Sequence, residues 1–255
     1  MRARIPGSKT RIVELAAILV VVFATILICL PMFSRAREAS RRASCQNNLK
    51  QIGIVLRMYA SESRGEFLPP LSPIIDNWMF DLRLVYPEYL ADLNVLVCPQ
   101  SPFSKPGLFD SARQTGSRSM DPECVSSLFY IYTGYAIFSD EQAKGLFDAY
   151  MIAPHSVIAG NILEVLVPVW PDSTRITGSP GYSGIPVVWD RVPLGEDEFS
   201  HTPAGINVLH FDGHVEFIKY SHYNSSNYFP ATRAGAETFG SVMPVLPAHC
   251  IGFWR

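Results

Sequence analysis

Residues 14–34 read ELAAILVVVFATILICLPMFS: one glutamate, Glu14, followed by the uncharged run Leu15 to Ser34. Twenty such residues in a helix rise about 30 Å, the thickness of a bilayer's hydrocarbon core. The run therefore predicts a membrane-spanning helix over 12–34, preceded by a basic leader over 1–11. Arg2, Arg4, Lys9 and Arg11 in that leader place the amino terminus in the cytoplasm and the rest of the chain outside, by the positive-inside rule. Arg35, Arg37, Arg41 and Arg42 on the far side pull the other way. A removable secretory signal also opens with basic residues and an apolar run, but that run is usually about 7 to 15 residues long and ends at a small-x-small site. Here the run is longer, and Ala36, Ala39 and Ala43 carry helical sequence straight on, so a retained anchor is expected.

Past the span, Leu49, Ile52, Leu56 and Tyr59 recur at helical spacing with Gln46, Asn47, Lys50 and Arg57 between them. That pattern is an amphipathic helix over 35–64 that continues the span and lays one face on something apolar. Together the two segments would make a helix on the order of 70 Å long. Pro31 removes one backbone hydrogen bond and crowds the preceding turn, so a bend or local melting is expected there. Gly65, Pro69, Pro70 and Pro73 end the helix.

The remainder, 65–255, reads as one exported α+β head. With 48% apolar residues the chain fills one sizeable core, and nothing suggests disorder. A net charge of −2 gives no basic field for nucleic acid. Cys29 lies in the span; Cys45, Cys98, Cys124 and Cys250 face an oxidising compartment and allow three pairings, among which sequence does not choose. Cys98 with Cys124 is one candidate, a staple at the base of the apolar-poor excursion 101–124. No CxxC spacing suggests a thiolate metal site.

Between Trp78 and Tyr89 the spacing looks helical, and Leu93 to Val97 reads as a short strand. Further strands are expected at Leu128–Ile137, Val157–Ala159, Leu163–Val169 and Ile185–Trp189. Asn207–Phe211 and His214–Tyr220 flank Asp212-Gly213, the dipeptide favoured by type I′ turns, which predicts a hairpin over 206–220. The head is thus expected to be a mainly antiparallel sheet.

Val13-Glu14-Leu15 through Pro31, Arg35-Ala36-Arg37 and Ser44-Cys45-Gln46-Asn47-Asn48-Leu49-Lys50-Gln51-Ile52-Gly53 resemble the start of bacterial type IV pilin-like proteins. Val97-Cys98-Pro99, Val187-Val188-Trp189-Asp190 and His201 to Gly213-His214-Val215 resemble the DUF1559-type branch, whose carboxy-terminal signature is a histidine, an intervening stretch and Asp-Gly-His. The resemblance implies a pilin-like fold, with a long membrane helix packed on the sheet. It gives Glu14 an assembly role, pairing with the amino terminus of the next subunit, and makes Pro31 the helix-kink proline. Glu14 has a plainer reading too, as a carboxylate that marks the interfacial end of the helix, where burial is costly without a partner. The prepilin cleavage pair, glycine then phenylalanine, falls on Lys9 and Thr10, and Gly7 is two residues early. An uncleaved anchor, an atypical site and a misassigned start are the alternatives.

His201, Asp212, Gly213 and His214 match the signature, with ten residues between His201 and Asp212 where the family usually has nine. On a continuous strand His210, Asp212 and His214 would share a face and could ligate zinc. Reversal at Asp212-Gly213 favours a structural hairpin instead. No GxSxG elbow, HExxH helix or phosphate-cradling loop is present, and Glu196-Asp197-Glu198 lies in a loop as a solvated run. The expectation is a non-enzymatic, cofactor-free, pseudopilin-like structural subunit of a secretion or surface apparatus. It would span the inner membrane once, with its head periplasmic or at the cell surface, and its partners would be the bilayer and other pilin-like subunits. The alternative is an uncleaved membrane-anchored binding module whose head recognises carbohydrate, protein or a metal ion.

Overall fold

A computed structural model describes residues 8–63, 68–113, 119–154, 184–195, 198–221 and 229–252. The chain divides into two units, Met1–Arg41 and Arg42–Arg255. The expected strands Val157–Ala159 and Leu163–Val169 lie outside the described residues.

A single helix, α1 (Ser8–Glu62), carries the amino-terminal sequence, and its helical backbone runs through Pro31 without the local melting that proline suggested. In the first unit its apolar side chains face outward. Thirteen large ones from Leu15 to Phe33 are between 47% and 70% exposed, on every side of the helix. Thr25 returns its hydroxyl to the Val21 carbonyl at 2.8 Å, so this polar group is satisfied within the helix. Among the described residues, no helix is long and apolar enough to cross a membrane. The side chains of residues 12, 13, 31 and 34, which belong to the expected span, are not among those described.

In the second unit the same helix is amphipathic, as its spacing predicts. Cys45, Leu49, Ile52, Leu56 and Ala60 are buried, while Ile54 and Met58 on the other face are exposed. The buried face rests on a four-stranded antiparallel sheet, ordered β3 (Tyr130–Tyr132), β4 (Pro186–Asp190), β5 (Gly205–His210) and β6 (Val215–Lys219). Gly53 marks the contact, since a Cβ there would stand 3.1 Å from Leu209 Cδ1. We expect Gly53→Val to destabilise the second unit by about 1–3 kcal/mol through overpacking. Chemical denaturation would measure this, and a double variant with Leu209→Ala should lose less than the sum of the two single losses.

Side chains alternate across a strand, so Val188, Asp190, Asn207 and Leu209 face α1 while Trp189 and Val208 face away. The far side is an aromatic layer. Trp189 meets Phe229 and Phe239 at ring distances of 6.0 Å, and Phe239 lies 4.8 Å from Trp78. Helix α2 (Asp140–Ile152) closes that side through Phe147 and Tyr150, both against Trp78. Sequence reading missed α2, although Ser139 caps it by accepting from Gln142 N–H and Gln142 Oε1 accepts from Phe138 N–H.

Four expectations are corrected. The Trp78–Tyr89 segment is not a helix; it holds only a 3-10 turn, Leu82–Leu84, started by Asp81. Leu93–Leu96 is likewise a 3-10 turn rather than a strand, because the Asp92 carboxylate accepts from Asn94 N–H and turns the backbone. The hairpin turn is not type I′. Gly213 N–H donates to His210 O, His210 N–H donates to His214 O, and only Gly213 has positive φ, 92°. That is a three-residue loop, a type I turn closed by a glycine bulge. Finally, Cys98 does not pair with Cys124. Cys98 bonds Cys45 on the buried face of α1, and Cys124 bonds Cys250. The excursion is tied instead to the carboxy-terminal segment, which adds itself beside β1 (Asp110–Ser111). That strand pairs with β2 (Ser119–Met120) and bridges Cys250 from Ser111.

Candidate functional site

Two polar constellations stand on β5, one at each end and on opposite faces. The first is buried between the sheet and α1. Asp190 at the end of β4 and Asn207 inside β5 are cross-strand neighbours, 2% and 0% exposed, in strands whose other residues apart from His210 are apolar. The Asn207 backbone N–H and its Nδ2 both donate to Asp190 Oδ2, at 2.7 and 2.8 Å. His201, 1% exposed, sets Nε2 3.0 Å from the same carboxylate oxygen and 2.8 Å from Asn207 Nδ2. Its other nitrogen, Nδ1, lies 2.8 Å from Gln100 Oε1, an acceptor, which assigns the proton to Nδ1. Cys98 Sγ is 3.9 Å from Nε2, so the Cys45–Cys98 disulfide forms the wall toward α1.

The neighbouring Tyr130 hydroxyl faces Asn48 of α1 without the geometry of a hydrogen bond. Burial, reinforced by the Asp190 carboxylate, raises its pKa far above the usual phenol value. The cluster is closed to solvent. It braces β4, β5, the 98–100 segment and α1 against one another, with only Gln100 half-buried at its edge.

The second constellation is the hairpin tip. Gly213 holds the positive φ that the bulge needs, and a Cβ there would meet Arg57 Nη2 at 3.1 Å; Arg57 in turn donates to the Phe211 carbonyl. Asp212 Oδ1 accepts from the His214 backbone N–H at 3.0 Å and lies 2.6 Å from His214 Nδ1. Burial pushes the Asp212 carboxyl up, but the bonds from His214 outweigh it and the pKa falls below the usual carboxylate value. The rings of His210 and His214 are parallel and 4.3 Å apart. Glu216 on β6 places Oε1 3.0 Å from His210 Nε2. Burial first, and the adjacent His214 next, lower the pKa of His210.

The structure thus separates residues that the sequence motif joins. His201 lies in the interior, while Asp212, Gly213 and His214 build the turn. Asp190, Asn207, Gln100 and Glu216 were not identified as site residues from sequence. Two polar side chains, Asp190 closing the apolar run Pro186–Trp189 and Asn207 between Ile206 and Val208, were the available signal. Glu14 is exposed on α1, and the side chain of Pro31 is not among those described.

A third feature is an open cavity of about 550 Å³ in the second unit, lined by Asn48, Gln51, Asp92, Asn94 and Lys105 among others.

Residues 34–71 match a family described as a protein of unknown function, DUF1559. The match runs from the end of the apolar stretch through the amphipathic part of α1 to Leu71, and it supports the DUF1559 branch of the resemblance over that segment. The turn signature at His201 to His214 and the run before Ser34 lie outside it. No curated protein and no solved structure matches the chain.

Proposed function

We propose that the protein is a membrane-anchored, pilin-like structural subunit whose α+β head is presented outside the membrane. The observation that carries this reading is the change of character along α1. From Leu15 to Phe33 the helix exposes apolar side chains on all sides, and from Cys45 to Ala60 it buries one face on the sheet. An apolar surface of that kind is rare on a soluble monomer and marks a lipid or helix-bundle interface. Glu14 stands at its edge, where a carboxylate needs a partner and a neighbouring subunit's amino terminus would supply one. In this reading the chain is non-enzymatic. It is held in the inner membrane with its amino terminus cytoplasmic and assembles with like subunits through heterologous contacts that repeat without closing.

Alkaline extraction of membranes from cells expressing the full chain should leave it in the pellet, and cysteines placed along Leu15 to Leu27 should cross-link copies to one another. Mass spectrometry of the native amino terminus separates the two modes of use. A chain starting near Thr10 with a methylated amine places it in the filament route; an intact Met1 or Arg2 removes that route and leaves an anchored module. Release into the soluble fraction overturns the anchor itself.

The cavity beside Asn48 and Lys105 favours a second reading, an anchored binding module. Its mixed lining, with amides, a carboxylate and an ammonium beside Val95, Leu108 and Phe109, suits a ligand with both polar and apolar faces, such as a carbohydrate.

A further inference from the structure

We propose that the tip of the β5–β6 hairpin is a binding site for one divalent transition-metal ion of the zinc class, with His210, His214 and Glu216 as ligands and Asp212 as the carboxylate that orients His214. One imidazole nitrogen from each histidine and a Glu216 oxygen all lie within 4.8 Å of one another. Two imidazoles and one carboxylate are a donor set that zinc and its neighbours accept at about 2.0–2.2 Å with one position left open. The set differs from the one that strand alternation alone suggested, because the turn commits Asp212 Oδ1 to His214 and β6 brings Glu216 beside His210.

Two observations point to a ligand rather than to an ordinary hairpin. His210 has a side chain only 4% exposed, yet neither of its ring nitrogens makes a hydrogen bond, because the 3.0 Å approach of Glu216 is off the hydrogen-bond direction. A buried imidazole with unmet nitrogens beside a carboxylate costs free energy that a metal bond would recover. The second is the His214–Asp212 contact of 2.6 Å. It commits Nδ1 of His214 as a donor and leaves Nε2 with its lone pair free. This is the tautomer a metal needs, held by the carboxylate–histidine arrangement that accompanies most ligating histidines.

The parallel rings do not converge on one point, so binding requires the His214 ring to tilt about its Nδ1 bond to Asp212 and the half-exposed Glu216 to swing in while His210 stays fixed. Their side-chain exposures, 41% and 51%, allow that and leave the open coordination position to water. Among the described residues, the other clusters of ligating side chains are engaged elsewhere except for His249 Nε2, which has no hydrogen-bond partner. The sulfurs of Cys45–Cys98 and Cys124–Cys250 are spent in disulfides, and the carboxylates of Asp121 and Glu123 are met by the Arg113 guanidinium at 3.7 and 2.7 Å.

The site is independent of the anchoring proposal, and it is tested on the full chain in detergent micelles, expressed without a polyhistidine tag and stripped with a chelator. Titration with cobalt should show one equivalent bound with the visible bands of a low-coordinate site, and zinc should displace it. His214→Ala and Glu216→Gln alter exposed side chains and should each weaken binding by tenfold or more. Asp212→Asn should keep the stoichiometry but weaken binding by roughly 10- to 100-fold, the range for loss of a partner that orients a ligand. Failure of the folded wild-type chain to bind one equivalent overturns the site. So does binding that survives both His214→Ala and Glu216→Gln, or binding lost instead in His249→Ala.

Discussion

His201→Ala is expected to cost on the order of 2–4 kcal/mol, because it leaves a cavity in the interior and strips two polar neighbours, Asn207 Nδ2 and Gln100 Oε1, of the imidazole between them. Asn207 Nδ2 would lose its acceptor at 2.8 Å, and Asp190, 2% exposed with an Oδ1 that already has no hydrogen-bond partner, would border the cavity. Gln100 would lose its bond at 2.8 Å as well. Asp190 and Asn207 cannot turn toward water instead, since they lie 2% and 0% exposed between β4, β5 and the Cys45–Cys98 wall; the half-buried Gln100 can. Urea unfolding of the full chain in micelles, followed by tryptophan fluorescence, measures the loss; Trp189 sits on the strand that carries Asp190. A loss below about 1 kcal/mol would show that the cluster is not a brace. Asp190→Asn combined with His201→Ala should cost less than the two single changes added, because both act on one network.

Much of the second unit was legible where a period or a turn residue carried the information. Leu49, Ile52 and Leu56 recur at helical spacing, and their burial follows from that spacing alone. Asp212-Gly213 marked the reversal between β5 and β6, but a dipeptide does not count the residues of a loop. Phe211 belongs to the turn and not to the strand, which changes the turn class and removes Asp212 from the ligand set. Local side-chain capping decided the segments that were misread. Asp81 and Asp92 turn apolar stretches into 3-10 turns, and the Ser139–Gln142 pair starts the helix that was overlooked. The interior cluster was the least legible part. Gln100, Asp190, His201 and Asn207 meet only because the sheet and the 98–100 segment fold onto α1, and no spacing in the chain encodes that meeting. The disulfide map was hidden for the same reason, since three pairings of four cysteines are equal until tertiary structure places them.

Removal of the Cys45–Cys98 bond should have an effect as large as loss of His201. The bridge closes a loop of 53 residues, and the chain-entropy account puts the stabilisation from such a loop on the order of 4 kcal/mol, within the 2–5 kcal/mol usual for native disulfides. Cys45→Ala with Cys98→Ala should lower the urea midpoint accordingly. The intact bond should also resist mild reductant in the native state, because both cysteines are at most 1% exposed. Rapid reduction of the folded chain would contradict that placement. The bridge does more than shorten the unfolded chain. It joins α1 to the segment carrying Gln100, and Cys98 Sγ touches the His201 ring, so the bond also holds one wall of the polar cluster. A pure loop-closure effect would add to the loss from His201→Ala. A shared wall predicts instead that the double-cysteine variant combined with His201→Ala loses less than the sum, by 0.5 kcal/mol or more. Strict additivity would assign the disulfide to the unfolded chain alone and leave the His201–Asp190–Asn207 network as a separate brace.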